Sequence, residues 1–192
     1  MAQQNLSSNN TTQTLYGEIA NNIYEKAKNI KLFVCDIDGV FSDGRIYLGN
    51  DGEELKAFHT KDGYGIKALG ASGVDVAVIT GRQSNIVQTR MTALNVKHII
   101  QGEENKLPAL KTLIEKHQLT PDQVAYIGDD MPDYQCMDYV GLAIAVNDAH
   151  PAILNLADHI TTIKGGFGAV REICDIIMQS QNSLQNASGA SI

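Results

Sequence analysis

The chain has 192 residues, of which 43% are hydrophobic and 19% are charged, and its formal net charge is −7. This length suits one domain with a substantial core, and the acidic balance excludes a nucleic-acid binder because no basic stripe can neutralise phosphates. The three cysteines show no metal-ligand spacing, which is typical of reduced thiols in the cytoplasm. No stretch approaches the ~20 apolar residues of a membrane span, and no signal-peptide pattern is present. We therefore expect a cytoplasmic protein that binds neither nucleic acid nor a membrane.

The N-terminal segment divides into a tail and a helix. Residues 1–14 are rich in Gln, Asn, Ser and Thr and are predicted to be disordered. Apolar residues recur at four-residue spacing over 15–28 and predict an amphipathic helix. This helix begins a single domain that we expect to span residues 15–180.

An apolar strand that begins at Leu32 ends in two carboxylates, Asp36 and Asp38. Alternating residues of a strand point the same way, so both side chains can face one site. Two close carboxylates favour a bound cation or a retained proton, and one can attack as a nucleophile while the other carries a proton. The Asp-Gly pair is also common in surface turns, and the Asp-x-Asp-Gly pattern also occurs in calcium-binding loops. An EF-hand fits poorly, because Val40 falls where an oxygen ligand belongs and a strand precedes the pair.

The rest of the chain alternates between strands and helices after one irregular insertion. Residues 41–58 predict a small β-hairpin flap around a glycine-rich loop. Helices are then predicted at 62–72, 84–95, 105–118, 132–139, from 150 and at 168–180, with strands at 74–80, 98–101, 124–129, 142–146 and 159–162. This alternation predicts an α/β, Rossmann-like parallel sheet with helices on both faces and a hairpin in place of a cap domain. Residues 181–192 are predicted to form a C-terminal tail.

Polar residues cluster at the predicted carboxyl ends of these strands, where ligands bind in such sheets. Thr80 and Arg82 follow the second strand, Asp129 follows the fourth, and Lys106 opens a helix. Taken separately, each has an ordinary explanation: Thr80 can belong to a strand-to-helix turn, Asp129 can cap a helix, and Lys106 can be a surface lysine. Together they supply oxygen ligands for Mg²⁺, donors for phosphate oxygens and a positive charge beside the nucleophile, which phosphoryl transfer requires.

The chain resembles the haloacid dehalogenase superfamily of phosphatases. Its motifs occur in the family's order as Asp36-Ile37-Asp38-Gly39, Thr80, Lys106 and Gly128-Asp129-Asp130-x-x-Asp133. The likeness covers about residues 30–180 and extends to the capless, tetrameric subclass that acts on sugar-acid phosphates. It implies an octulosonate 8-phosphate as substrate in lipopolysaccharide precursor synthesis. Alternatives are a nonulosonate 9-phosphate or another sugar phosphate, and, from another class, a phospho-receiver switch or an inactive scaffold.

The resemblance also implies roles for the carboxylates. Asp36 would form an aspartyl-phosphate, and Asp38 would protonate the leaving sugar oxygen and then deprotonate water. Asp36, the backbone carbonyl of Asp38 and Asp129 would hold Mg²⁺. Asp130 or Asp133 would orient these ligands from behind.

The remaining implied roles concern substrate and assembly. Thr80 and Lys106 would hold the phosphate, and Arg82 favours the octulosonate over the nonulosonate. A homotetramer would bury the apolar side chains of the hairpin (Ile46, Leu48, Leu55), which otherwise pack on their own domain. The full set of implied substrate contacts is Asp38, His59, Thr60, Lys61, Asp62, Gly63, Lys67, Arg82, Arg90 and Lys106.

Overall fold

A six-stranded parallel sheet with the strand order β10-β9-β8-β3-β6-β7 forms the centre of a computed structural model that describes residues 10–186. The strands are β1 (Thr11–Thr14), β2 (Gly17–Ala20), β3 (Leu32–Cys35), β4 (Tyr47–Leu48), β5 (Glu54–Leu55), β6 (Asp75–Thr80), β7 (His98–Gln101), β8 (Val124–Gly128), β9 (Leu142–Ala145) and β10 (His159–Ile160). The helices are α1 (Asn21–Lys28), α2 (Thr60–Ala71), α3 (Asn85–Ala93), α4 (Lys106–Lys116), α5 (Tyr134–Tyr139), α6 (Pro151–Leu156) and α7 (Ala169–Ser180).

Strand β3 occupies the middle of the sheet, and its side chains are fully buried. Its last residue, Cys35, is level with Val78 of β6 and Ile127 of β8, so the three strands end at one edge. Helices α1, α2 and α7 pack together, as do α4 and α5. Right-handed crossovers place α2 and α4 on opposite faces, because the chain reverses its direction across the sheet after β7. The predicted α/β fold is confirmed.

The prediction of disorder over residues 1–14 is wrong for its last four residues, and the predicted helix begins late. Thr11–Thr14 pair with Gly17–Ala20 as an antiparallel hairpin, and helix α1 begins only at Asn21. The turn is closed by the Thr14 hydroxyl, which donates to the Gly17 carbonyl at 2.7 Å. Tyr16 anchors the hairpin to α7, because its hydroxyl donates to Asp175 Oδ2 at 2.8 Å. Residues 1–9 lie outside the described part of the chain.

The flap predicted over 41–58 is confirmed as an antiparallel hairpin, although β4 and β5 are only two residues each. Leu48 and Leu55 are exposed by 72% and 62%, and Ile46 is exposed by 43%. Within one chain these side chains therefore do not pack on their own domain. Between residues 10 and 186, no helix has the length and apolar character needed to cross a membrane. The predicted C-terminal tail contains a short 3₁₀ turn at Leu184–Asn186, and residues 187–192 lie outside the description.

Candidate active site

The loops that follow β3, β6 and β8, with the start of α4, line a cavity of about 580 Å³ at the carboxyl edge of the sheet. Predicted site residues from four separate segments meet there because the three strands end level with one another. The cavity is lined by Asp36, Asp38, Gly44, Thr80, Gly81, Arg82, Glu104, Lys106, Asp129, Asp130, Pro132 and Asp133.

Three carboxylates in this cavity, Asp36, Asp129 and Asp133, form what we call the acidic cluster. One oxygen from each lies within 4.8 Å of the others. Burial, followed by repulsion from Asp133, raises the pKa of Asp36 to about 7. Burial, followed by repulsion from Asp36, raises the pKa of Asp129 to about 8. The cluster thus holds protons that a divalent cation would displace, and an all-oxygen donor set is what Mg²⁺ prefers.

Asp133 is fully buried and is held through both carboxylate oxygens. Its Oδ1 accepts from Lys106 Nζ at 2.7 Å and from the Tyr126 hydroxyl at 2.7 Å. Its Oδ2 accepts from the backbone N–H of Asp129 at 3.0 Å, which fixes the loop that carries Asp129. This geometry fits a residue that orients the cluster. Asp130 instead caps a local turn by accepting from the Met131 N–H at 2.8 Å.

Lys106 is the first residue of α4, and its side chain is almost completely buried beside Asp36. Its Nζ lies 2.9 Å from Asp36 Oδ1. Burial alone lowers the pKa of Lys106, but Asp36 and Asp133 raise it overall, so the amine stays charged. Thr80 ends β6 as a buried hydroxyl at the same rim, and its carbonyl accepts from the Glu103 N–H at 3.1 Å. The arrangement places a fixed positive charge and a hydroxyl next to a carboxylate.

Asp38 contacts the hairpin through Lys56, a residue outside the predicted site. Lys56 Nζ forms ion pairs with Asp38 and, at 3.2 Å, with Glu54 Oε1, and the Lys56 side chain has no exposed surface. Arg82 pairs with the same two carboxylates, because its Nε lies 3.9 Å from Asp38 Oδ2 and its Nη2 lies 3.3 Å from Glu54 Oε2. The signal available in the sequence was the alternation of Glu54 and Lys56, which places both side chains on one face of the hairpin.

Two glycines allow the catalytic loop to come this close to its neighbours. Gly39 has φ +98°, and a Cβ there would lie 2.0 Å from Asp129 Oδ2. A Cβ on Gly165 would lie 1.7 Å from the carbonyl oxygen of Gly39. Any side chain at either position would displace the loop that follows Asp36.

The other predicted substrate residues lie outside this cavity. They are His59, Thr60, Lys61, Asp62, Gly63, Lys67 and Arg90. His59 caps α2, where its Nδ1 accepts from the Lys61 N–H at 3.1 Å. Asp62 is buried and accepts from the Arg171 N–H at 2.8 Å, at the start of α7, and burial raises its pKa to about 7. Lys67 lines a separate cavity with Asp75 near the amino ends of the strands. For these residues, contact with substrate therefore stays a prediction.

Comparisons of this chain with family models, known sequences and solved structures identify several related phosphatases and hydrolases. A family model of haloacid dehalogenase-like hydrolases matches residues 95–173. The 3-deoxy-D-manno-octulosonate 8-phosphate phosphatase of Yersinia pestis is 51% identical over 93% of this chain and 96% of its own length. A crystal structure of the Yersinia pestis phosphatase superposes with a TM-score of 0.93 at 50% identity, covering 95% of this chain and 98% of that one. The 3-deoxy-D-manno-octulosonate 8-phosphate phosphatase of Moraxella catarrhalis was crystallised with a magnesium ion, a phosphate ion and a KDO molecule. Its structure superposes with a TM-score of 0.85 at 45% identity, covering 86% of this chain and 95% of that one.

Proposed function

Because the chain belongs to the 3-deoxy-D-manno-octulosonate 8-phosphate phosphatases, a family of haloacid dehalogenase-like hydrolases, we propose that it hydrolyses this sugar-acid phosphate to the free sugar acid and phosphate. The product would enter lipopolysaccharide precursor synthesis. The observation that carries the proposal is the buried contact between Asp36 and Lys106 in a cavity that also contains Asp38, Thr80 and Asp129.

In the first half-reaction, a carboxylate oxygen of Asp36 attacks phosphorus and the bond from phosphorus to the sugar oxygen breaks. Asp38 donates a proton to that oxygen, so the sugar leaves as an alcohol. Lys106 and Thr80 bind the phosphoryl oxygens, and the charge of Lys106 offsets negative charge that develops in the transition state. In the second half-reaction, Asp38 takes a proton from water as the water attacks phosphorus, and the bond to Asp36 breaks to release phosphate.

The acidic cluster fits a magnesium ion because its ligand atoms are all carboxylate oxygens. Beyond the effect of burial, the raised pKa values of Asp36 and Asp129 also show that these carboxylates repel one another when no cation lies between them. Asp36, Asp129 and the backbone carbonyl of Asp38 would hold the ion, while Asp133 would orient the group from behind. When bound, Mg²⁺ supplies positive charge that binds the phosphate and allows Asp36 to react as an ionised carboxylate.

Recognition of the sugar acid requires positive charge beyond the phosphate site. Arg82 lines the cavity and would contact the part of the substrate beyond the phosphate. We propose that the segment from His59 to Gly63, with Lys67 and Arg90, also contacts the substrate, beyond the residues that line the cavity in the single chain. We propose a homotetramer that buries the exposed apolar side chains of the hairpins. The three cysteines, all buried and free, support a cytoplasmic location.

The experiment that tests this proposal measures phosphate release with Mg²⁺ from octulosonate 8-phosphate, nonulosonate 9-phosphates and simple sugar phosphates. We expect the highest kcat/KM for the octulosonate, loss of activity in EDTA and loss of turnover in Asp36→Asn. Light scattering in parallel gives the oligomeric state. Equal, weak turnover of all substrates would refute the assigned substrate, and activity retained in Asp36→Asn would refute the covalent mechanism.

A further inference from the structure

Two histidines far from the catalytic cavity bring their imidazole nitrogens together at the other edge of the sheet. His98 is the first residue of β7, and His117 directly follows the last residue of α4. Their Nε2 atoms lie 2.8 Å apart, and the two rings are nearly perpendicular at 82°. The catalytic cavity lies at the carboxyl ends of the strands, so the histidine pair lies at the amino ends.

The Asp75 carboxylate lies next to the second ring nitrogen of His117. Asp75 is the first residue of β6, and its Oδ2 lies 3.4 Å from His117 Nδ1. A carboxylate at Nδ1 favours the tautomer that carries its proton there, as in carboxylate–histidine–metal triads, so His117 Nε2 accepts from His98 Nε2 and a metal ion would displace that one proton. Lys97 pairs with the other Asp75 oxygen at 2.7 Å, but its side chain is 70% exposed, so solvent screens its charge. Burial, followed by the neighbouring His117, lowers the pKa of His98.

We propose that His98 and His117 form a second metal site, for a transition-metal ion of the Cu²⁺ or Ni²⁺ type, with Asp75 as the positioning residue. Two nitrogens 2.8 Å apart, each at the ~2.05 Å typical of metal–imidazole bonds, subtend about 86° at the metal. That angle matches neighbouring positions in the square-planar or tetragonal geometry preferred by Cu²⁺ and Ni²⁺. Among residues 10–186, no third Asp, Glu, Cys or His ligand joins the pair closely enough to form a larger group, so water fills the other positions.

Occupancy of this site would join two separate elements of the fold. Strand β7 forms the edge of the sheet, and α4 runs from Lys106 in the catalytic cavity to the histidine pair. The ion would thus link the far end of the helix that carries Lys106 to the sheet edge. Its imidazole ligands also distinguish it from the acidic cluster, which offers only oxygen.

The test is a Cu²⁺ titration of the full chain, followed by electron paramagnetic resonance with excess Mg²⁺ present to occupy the acidic cluster. We expect one bound Cu²⁺ whose signal shows coupling to two nitrogens. His98→Ala and His117→Ala should each remove that two-nitrogen signal. Asp75→Asn should keep the signal but weaken Cu²⁺ binding by ~10–100-fold, the range found for lost orienting partners.

His150→Ala is the matched control, because His150 caps α6 through its own Nδ1 and should leave the signal unchanged. Far-UV circular dichroism reports whether each variant folds, and His117→Gln replaces His117→Ala if the alanine variant does not. Cu²⁺ bound without nitrogen coupling would overturn the proposal. So would two-nitrogen coupling that survives in both histidine variants, and the pair would then be a simple hydrogen bond between side chains.

Discussion

Replacing Lys106 with methionine removes a positive charge that pairs with two buried carboxylates, Asp36 and Asp133. Lys106 Nζ lies 2.9 Å from Asp36 and 2.7 Å from Asp133, and all three side chains are at least nine-tenths buried. Methionine fills a similar volume, so the loss is mainly electrostatic. Removing one partner of a buried ion pair costs ~3–5 kcal/mol, because the remaining charge stays in a poorly solvated site.

For a chain of this size, each kcal/mol lowers the Tm by roughly 2–4 °C, so Lys106→Met should unfold roughly 6–20 °C below the parent in EDTA at pH 8. Excess Mg²⁺ should narrow the difference, because the ion neutralises the same carboxylates. Thermal unfolding followed by circular dichroism measures both effects. Phosphate release should fall to background, since the phosphoryl oxygens lose their fixed cation.

Lys111→Met is the matched control on the same helix. Lys111 is exposed and contacts only the Tyr139 ring among its described partners, so its loss should cost less than ~1 kcal/mol. A Lys106→Met variant that unfolds in EDTA within 2 °C of this control would refute the reasoning. The two carboxylates would then not depend on the charge of Lys106.

Three further predictions follow from the packing and protonation of the site. Gly165→Ala should destabilise the fold by ~3 kcal/mol or more in urea unfolding, because its Cβ would overlap the Gly39 carbonyl. Gly70→Ala, with open space around it in α2, should instead stabilise by ~0.5–1 kcal/mol, and equal effects at both positions would contradict this packing. Tyr126→Phe should cost ~1–3 kcal/mol and lower kcat, because Asp133 loses a buried donor; unchanged kcat would exclude a positioning role for that contact. In EDTA, the free energy of unfolding should fall as pH rises from ~4 to about 8, because Asp36, Asp129 and the buried Asp62 hold protons that the unfolded chain has released; Mg²⁺ at pH 8 should restore the part that comes from Asp36 and Asp129, and a flat profile in EDTA would show that all three carboxylates are already ionised.

The grouping of site residues at one edge of the sheet could be predicted from the sequence, because parallel strands all end at the same edge. Once the strands that end near Asp36, Thr80 and Asp129 are recognised, their side chains must meet at one edge, whatever the detailed packing. Strand bounds were also close, since β6 was predicted at 74–80 and spans Asp75–Thr80. Buried strands leave continuous apolar runs that are hard to mistake.

Features that depend on contacts between distant segments were not predictable. Ile19 belongs to a strand, but its four-residue spacing from apolar positions in α1 also fits a helix. Lys56 reaches Asp38 across 18 residues, and only the folded hairpin brings the two together. Asp62 was predicted to contact substrate, and that role stays a prediction. Its carboxylate accepts a hydrogen bond at the start of α7, a contact 109 residues away in the chain.

The hairpin that carries Lys56 differs from the sheet in how firmly it is held. Its two strands pair over only two residues each, and its apolar side chains are largely exposed. Segments with few buried contacts open locally at a free energy far below that of global unfolding. Asp36, in contrast, follows a strand at the centre of the core, so its amide should exchange with solvent only when the whole domain unfolds. The rate at which substrate reaches the cavity and the lifetime of the fold are therefore separate properties of this chain, and substitutions in the hairpin can change the first while leaving the second intact.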